Sequence, residues 1–257
     1  MIIITADDYG KNVSTTENIV SCAKSGRLSA ASAMVFMEDS ERAAFISREL
    51  SLEVGLHLNF TTPLTKKNID TSLIASQKRL IRYLGRGNIG TILFNPFILR
   101  DIKNVYSAQK NEFIRIFEKE PSFINGHHHM HLCMNMLMSN LIPESTLIRR
   151  TYTFESGEKN FFNLAYRRLV NLLIDARYIS SDKFLSIEPI SNEKRLKRIF
   201  ELSKKENIEI EVHPEKNDEC AFLLSDDFGK LLHDVQVGYF RDLASFEIEN
   251  EYKPTNA

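Results

Sequence analysis

Four of the seven histidines fall within five residues, in Asn125-Gly126-His127-His128-His129-Met130-His131. Two more close short apolar runs: His57 in Glu53-Val54-Gly55-Leu56-His57-Leu58-Asn59, and His213 in Glu209-Ile210-Glu211-Val212-His213-Pro214. An acidic pair, Asp7-Asp8, closes a third run near the amino end. Imidazole nitrogen with carboxylate oxygen suits Zn, Fe, Ni, Co or Mn better than Ca or Mg. Two histidines and one aspartate leave coordination positions for water, the open arrangement of a catalytic rather than a structural site. An ion so held activates water and polarises a carbonyl, and a base and an acid must then move the protons. The pattern points to a metal-dependent hydrolase.

Each feature also has a plainer reading. Asp7-Asp8 suits two solvated acids in a turn before a helix, where they favour the dipole. A histidine in an apolar strand, such as His57, suits a hydrogen-bonded core residue. The run 127–131 suits a His-rich surface loop. Against that last reading, four imidazoles are costly to desolvate unless bonded, ligating or exposed. Gly126 and the flanking apolar residues also place the run at a strand end. Neighbouring side chains on a strand point to opposite faces. Asp7 and Asp8 therefore meet in one cavity only where the pleat breaks.

The elements that must position these residues repeat in order. Residues 1–6 are a β-branched and apolar run, a strand buried on both faces as in parallel sheets. Residues 14–24 suit a helix capped by Ser14 or Thr15, 28–37 a strand, 40–50 a helix and 52–60 a third strand. Strand–helix repetition argues for a parallel sheet or (β/α) barrel, with ligands at the carboxyl ends of the strands. Asp7, Asp8 and His57 all fall at such ends.

Residues 61–107 break the pattern and read as an insertion after the third strand: a lid, an oligomer contact or a surface excursion. The series then resumes with a helix over 108–119, a strand over 122–125, a helix over 134–141 and a strand over 146–152 with Arg149 and Arg150. A helix over 161–177, a strand over 184–187, a helix over 192–206 and a strand over 208–212 follow. Residues 216–225 read as a loop, 226–247 as partly helical and 249–257 as a polar tail. The expectation is one α/β domain over 1–257, a (β/α) barrel that is incomplete or seven-stranded.

Composition narrows the partners. With 33 basic and 34 acidic residues there is no electrostatic case for nucleic acid. Three cysteines without a CxxC pair argue against a disulfide framework. The amino end lacks the basic start of a signal peptide and no apolar stretch is long enough to span a bilayer, so a cytoplasmic protein is expected.

The segments Thr5-Ala6-Asp7-Asp8-Tyr9-Gly10, Gly55-Leu56-His57-Leu58-Asn59, 125–131 and Glu211-Val212-His213-Pro214, in that order, resemble the motifs of the YdjC-like carbohydrate deacetylases. That family sits in the wider polysaccharide deacetylase superfamily and includes chitooligosaccharide deacetylases. The resemblance implies a TIM-barrel-like fold and hydrolysis of the N-acetyl group of an amino sugar, free, oligomeric or carrier-linked. It implies one divalent ion, Zn ahead of Mg, Mn, Co, Ni or Fe, held by Asp8, His57 and His127. It implies Asp7 as base and His213 as general acid. Arg149 resembles the arginine that holds the base or substrate, although Arg150 adjoins it. His128, His129 and His131 are left to line or support the site, and Asn125 stands where relatives often carry Asp. Other classes remain open: a metal-dependent phosphoesterase or amidohydrolase, or a non-catalytic glycan-binding relative. A homo-oligomer using 61–107 is a further expectation.

Overall fold

The computed structural model describes residues 1–154 and 157–244. In chain order the regular elements begin with β1 (Ile2–Tyr9), α1 (Val13–Lys24), β2 (Ala30–Ala33), α2 (Ser40–Ser47), β3 (Glu53–Leu58), α3 (Thr71–Leu84) and α4 (Asn88–Ile92). They continue with α5 (Leu99–Phe117), β4 (Ile124–Gly126), α6 (Met134–Leu137), α7 (Phe161–Asp175), β5 (Lys183–Ser186) and α8 (Glu193–Leu202). The last are β6 (Ile208–Val212), α9 (Asn217–Leu224) and α10 (Asp226–His233). Short 3-10 turns lie at Pro96–Ile98 and His127–Leu132.

The six strands form one sheet in the order β4-β3-β2-β1-β6-β5, parallel throughout. β1 sits inside it, and every residue of β1 is buried, the apolar start and Asp7 and Asp8 alike. The sheet is curled. Its two edges are spanned by the segment around Ile148, which bridges β4 at Ile124 and meets residue 179 through a hydrogen bond from Ile148 N–H. The N–H of Thr153 then donates to the carbonyl of Phe184 on β5. The expected strand over 146–152 is therefore present only as isolated bridges. Among the described residues the sheet has six strands, not seven. The α/β, barrel-like architecture is as the strand–helix repetition implies.

Several local expectations shift. α1 starts earlier than the cap at Ser14 or Thr15 allows: Asn12 is extended and its Oδ1 accepts the N–H of Thr15 at 2.9 Å. The second strand contracts from 28–37 to Ala30–Ala33, and past its end Met34 still donates its N–H to the carbonyl of Tyr9 at 2.8 Å while its own carbonyl accepts from Ser40 Oγ at 2.9 Å. Residues 216–225 hold α9 rather than a loop. The tail 249–257 and residues 245–247 lie outside the described residues.

Residues 61–107 are largely helical. α5 starts at Leu99 rather than 108 and packs with α3, α2 and β3. Gln109 on α5 accepts the N–H of Asn59 and donates to its carbonyl, both at 2.8 Å. Gln77 on α3 donates to the same carbonyl at 2.9 Å. Two buried amides thus satisfy the exposed backbone end of β3, two residues past His57. Part of the expected insertion is outer layer that holds the strand delivering His57.

Candidate active site

β1 carries two acids to its carboxyl end, and the backbone there decides where they point. Pairing with β2 slips between Ala6 and Tyr9, and Asp8 takes φ 67. A bulge and a left-handed residue break the pleat, so Asp7 and Asp8 both turn into the barrel mouth and both are buried. The convergence that the sequence required is present.

His57, near the end of β3, and His127, just past β4, reach the same place. Asp8 Oδ1 lies 2.9 Å from His127 Nδ1 and 3.3 Å from His57 Nε2. These distances suit hydrogen bonds, yet Asp8 Oδ1 is a buried oxygen without an aligned hydrogen-bond donor. One carboxylate oxygen and two ring nitrogens that approach one another without donor alignment are placed to serve as ligands around a shared point. The ligand atoms of Asp8, His57 and His127 all fall within 4.8 Å of one another. One oxygen with two imidazole nitrogens is the donor set of an open zinc-type site, and it fits a divalent ion. The other carboxylate oxygen of Asp8 is held by Lys11 Nζ at 3.1 Å, and Lys11 also reaches Glu215 at 2.7 Å. Burial opposes ionisation of Asp8, but His127 and His57 beside it lower its pKa. Burial equally opposes charge on His57, and Asp7 and Asp8 raise its pKa.

Asp7 is held differently. Ser32 Oγ donates to its Oδ1 at 2.6 Å, and Arg149 donates from Nη1 to Oδ2 at 2.6 Å and from Nη2 to Oδ1 at 2.9 Å. Arg149 is fully buried and continues to Glu209 at 2.7 Å and Glu211 at 3.0 Å. Burial pushes the Asp7 carboxyl up, but the guanidinium and His57 hold it well below the usual carboxylate range. Three buried carboxylates face one guanidinium, so they do not all ionise. Burial, then the charge of Asp7, pushes Glu211 well above its usual range, and burial raises Glu209 as well. The shared guanidinium thus favours charge on Asp7, and burial with the Asp7 charge disfavours it on Glu211. Tyr152 hydrogen-bonds the second oxygen of Glu211.

The adjoining arginines separate cleanly. Arg149 points into the barrel, whereas Arg150 donates to the carbonyls of Ser181 and Asp182 and pairs with Asp175. His213 follows β6. Its N–H donates to Glu219 Oε2 at 2.7 Å, and its ring lies within 4.8 Å of ligand atoms of Asp7 and Glu211.

The histidine run splits by backbone conformation. His128 and His129 take φ 53 and 58, two successive left-handed residues, which separates the directions of the four rings. His127 joins Asp8. His128 is exposed, lies tilted against His127 with ring centroids 4.0 Å apart and meets Thr61 Oγ1 at 3.0 Å. His129 packs edge-on against Tyr152 and Phe184 and lies 3.8 Å from Glu211. His131 does not reach the cavity: it is buried, and its Nε2 meets the carbonyl of Arg149 at 3.0 Å. Burial and the nearby guanidinium lower its pKa to about 3, so the ring is neutral and supports the Arg149 backbone. Gly126 eases this packing, since a Cβ there would sit 3.0 Å from the His131 backbone nitrogen and 3.1 Å from its ring.

Glu211, Ser32, Tyr152 and Lys11 were not singled out from sequence. Glu209 and Glu211 did leave a signal: acids two apart in an otherwise apolar strand point to one face and need a buried partner. Ser32 and Lys11 left none.

A cavity of about 410 Å³ opens beside the site, lined among others by Ile92, His128, His129, Tyr152, Tyr166 and Arg167. A larger hollow, about 770 Å³, lies beyond Tyr152 around Lys183, Asn192 and Arg195 and touches none of Asp7, Asp8, His57, His127 or His213. The smaller one touches none of these five either, but His128 and His129 in its wall adjoin His127 and Glu211, and it has the size of a small-ligand cleft.

Comparison with known proteins gives the following. A family described as YdjC-like protein matches residues 1–237. A chitooligosaccharide deacetylase of Enterobacter sp. (strain 638) is 30% identical over 133 residues, 51% of this chain and 50% of that protein. One from Yersinia enterocolitica is 29% identical over 165 residues, 62% of each. The chain spans about half the length of the first of these curated relatives. A solved structure from Enterococcus faecalis V583, described as a cellobiose-phosphate cleavage protein, superposes over 94% of this chain and 98% of its own, with a TM-score of 0.67 and 18% identity. That likeness is one of fold. Among the described residues, no helix is long and apolar enough to cross a membrane.

Proposed function

This chain belongs to the YdjC-like protein family, and from that premise we propose that it is a metal-dependent carbohydrate deacetylase that hydrolyses the N-acetyl group of an amino sugar. The observation that carries the reading is the convergence of Asp8, His57 and His127 beside a separately held, ionised Asp7 and the His213 ring. The two curated relatives named chitooligosaccharide deacetylase favour the same chemistry.

A divalent ion bound by Asp8, His57 and His127 would supply acidified water and polarise the acetamide carbonyl. The remaining work falls to the chain. Asp7 takes the proton from the attacking water as the new C–O bond forms. Arg149 and Ser32 fix the carboxylate for that step and keep it ionised. His213 delivers a proton to the sugar nitrogen as the C–N bond breaks, so acetate and a free amine leave. The Glu219 carboxylate holds the His213 backbone at the required place. The cleft bordered by His128, His129, Tyr166 and Arg167 takes the sugar, and Phe162, 83% exposed at its rim, offers a ring face for stacking.

Asp7, Glu211 and His213 also cluster within 4.8 Å, the kind of group that a two-metal phosphoesterase or amidohydrolase would use. The Arg149 guanidinium already sits on both carboxylates. A second ion there would face a buried like charge, which favours the single-ion reading. Acetate release from free, oligomeric, nucleotide-linked and lipid-linked N-acetyl sugars, with metal supplied, tests the proposal. Silence across all four, with one ion bound per chain, would rule out deacetylation.

A further inference from the structure

Asn125 and His57 are direct partners in the register of β4 on β3, and Asn125 is fully buried. Its amide lies between two demands. One end is 2.8 Å from His57 Nδ1. The other faces Arg149 Nη1 at 3.0 Å and Nη2 at 2.9 Å, with Ser32 Oγ at 3.2 Å. A guanidinium only donates, and a primary amide has one accepting and one donating end. The amide oxygen is therefore satisfied against Arg149, which leaves the NH₂ group to donate to His57 Nδ1. In that state the neutral ring carries its proton on Nε2, which faces Asp8 Oδ1 at 3.3 Å.

A protonated Nε2 cannot ligate. For His57 to serve beside Asp8 and His127, the proton must sit on Nδ1, and the group opposite must accept it. Asn125 can do so only by turning its amide over. The oxygen then accepts from Nδ1 at 2.8 Å, and the NH₂ donates to Asp7 Oδ1 at 3.4 Å. The same turn places that NH₂ against the Arg149 donors, an opposition of like groups in a buried site.

We propose that Asn125 is a positioning residue that sets the tautomer of His57, with its amide turned one way in the metal-free chain and the other way when the ion is bound. The inference rests on the metal reading of Asp8, His57 and His127. Its consequence is a metal site that is weaker than its ligands alone would make it, because loading puts two donors face to face. An aspartate at this position would accept from both His57 and Arg149, and it would set a second carboxylate beside Asp7, whose Oδ1 lies 3.4 Å from the amide nitrogen.

The test is the tautomer itself, read by ¹⁵N chemical shifts of His57 at alkaline pH, with Zn²⁺ affinity measured by competition with a chelator dye. In the wild type the metal-free ring carries its proton on Nε2, and Zn²⁺ moves it to Nδ1. In Asn125→Asp the proton is on Nδ1 with or without the ion, and Zn²⁺ binds about tenfold more tightly, in the range of partners that orient a ligand. A metal-free wild-type ring already protonated on Nδ1 overturns the inference, whatever the variant does. If the wild type takes up no metal, the metal reading of the site falls instead, and the metal-free tautomer still decides the role of Asn125.

Discussion

Arg149 grips Asp7 through two parallel hydrogen bonds, Nη1 to Oδ2 at 2.6 Å and Nη2 to Oδ1 at 2.9 Å, with both side chains removed from solvent. The bidentate fork is geometry that only arginine offers. It separates the two neighbouring aspartates: Asp7 belongs to the guanidinium, and Asp8 turns one oxygen to His57 and His127.

Replacing that arginine should therefore cost both fold and activity. Arg149→Ala leaves Asp7, Glu209 and Glu211 without their shared cation, and loss of a buried partner costs about 3–5 kcal/mol. Arg149→Lys keeps the charge but loses the fork. It should fold closer to wild type and still lose about a hundredfold in turnover, as expected when a base is mispositioned. Urea unfolding and acetate release on the two variants measure the split. Wild-type turnover in Arg149→Lys would show that the fork has no part in catalysis.

The aspartates should separate by readout. Asp7→Asn is expected to retain metal and lose about 10²–10⁴-fold in turnover, the range for a general base. Asp8→Ala should lose metal and activity together. Metal content by mass spectrometry beside acetate release distinguishes them, and unchanged turnover in Asp7→Asn would remove it as the base.

Within the histidine run, His127→Ala should abolish stoichiometric metal, because its Nδ1 is 2.9 Å from Asp8. His128→Ala should retain the ion, because that ring is exposed and bonds Thr61. Equal metal loss in both would mean that the ion sits on the outer side of the run.

His131 gives a pH signature. Its folded pKa is lowered to about 3, by burial first, from an unfolded value of 6.5. A histidine kept neutral by folding favours the folded state above its unfolded pKa. The unfolded chain takes up a proton as pH falls below about 6.5, and stability drops until the folded ring protonates near 3. Two pH units inside that window amount to about 2.7 kcal/mol from this one residue. In His131→Gln the stability slope between pH 6.5 and 4.5 should be shallower by about one proton. Urea midpoints at the two pH values measure it, and an unchanged slope would mean that His131 titrates normally in the fold.

Sequence alone carried a good part of this. The apolar run of β1, the strand–helix repetition and histidines at run ends are local patterns, and local patterns decide strands, helices and what stands at strand ends. They led to the parallel α/β architecture and to Asp7-Asp8, His57, the 127–131 run and His213 as candidates, while the choice of His127 within the run came from the resemblance to the YdjC-like deacetylases. They failed where structure depends on distant partners. The strand expected at 146–152 survives only as isolated bridges, and part of the 61–107 segment is helix whose Gln77 holds the carbonyl just past β3.

The allocation of roles among neighbours was decided by the tertiary structure. A single left-handed residue at Asp8 turns both acids into one mouth, and two more at His128 and His129 scatter four adjacent rings to four environments. Which of Arg149 and Arg150 meets Asp7 depends on a contact 142 residues away in the chain. That Glu211 is pushed well above the usual carboxylate range depends on its burial and then on the charge of Asp7 beside it. Residue type fixes what a side chain can donate, accept or ligate. Which of those capacities is used depends on the group that the curled sheet places opposite it.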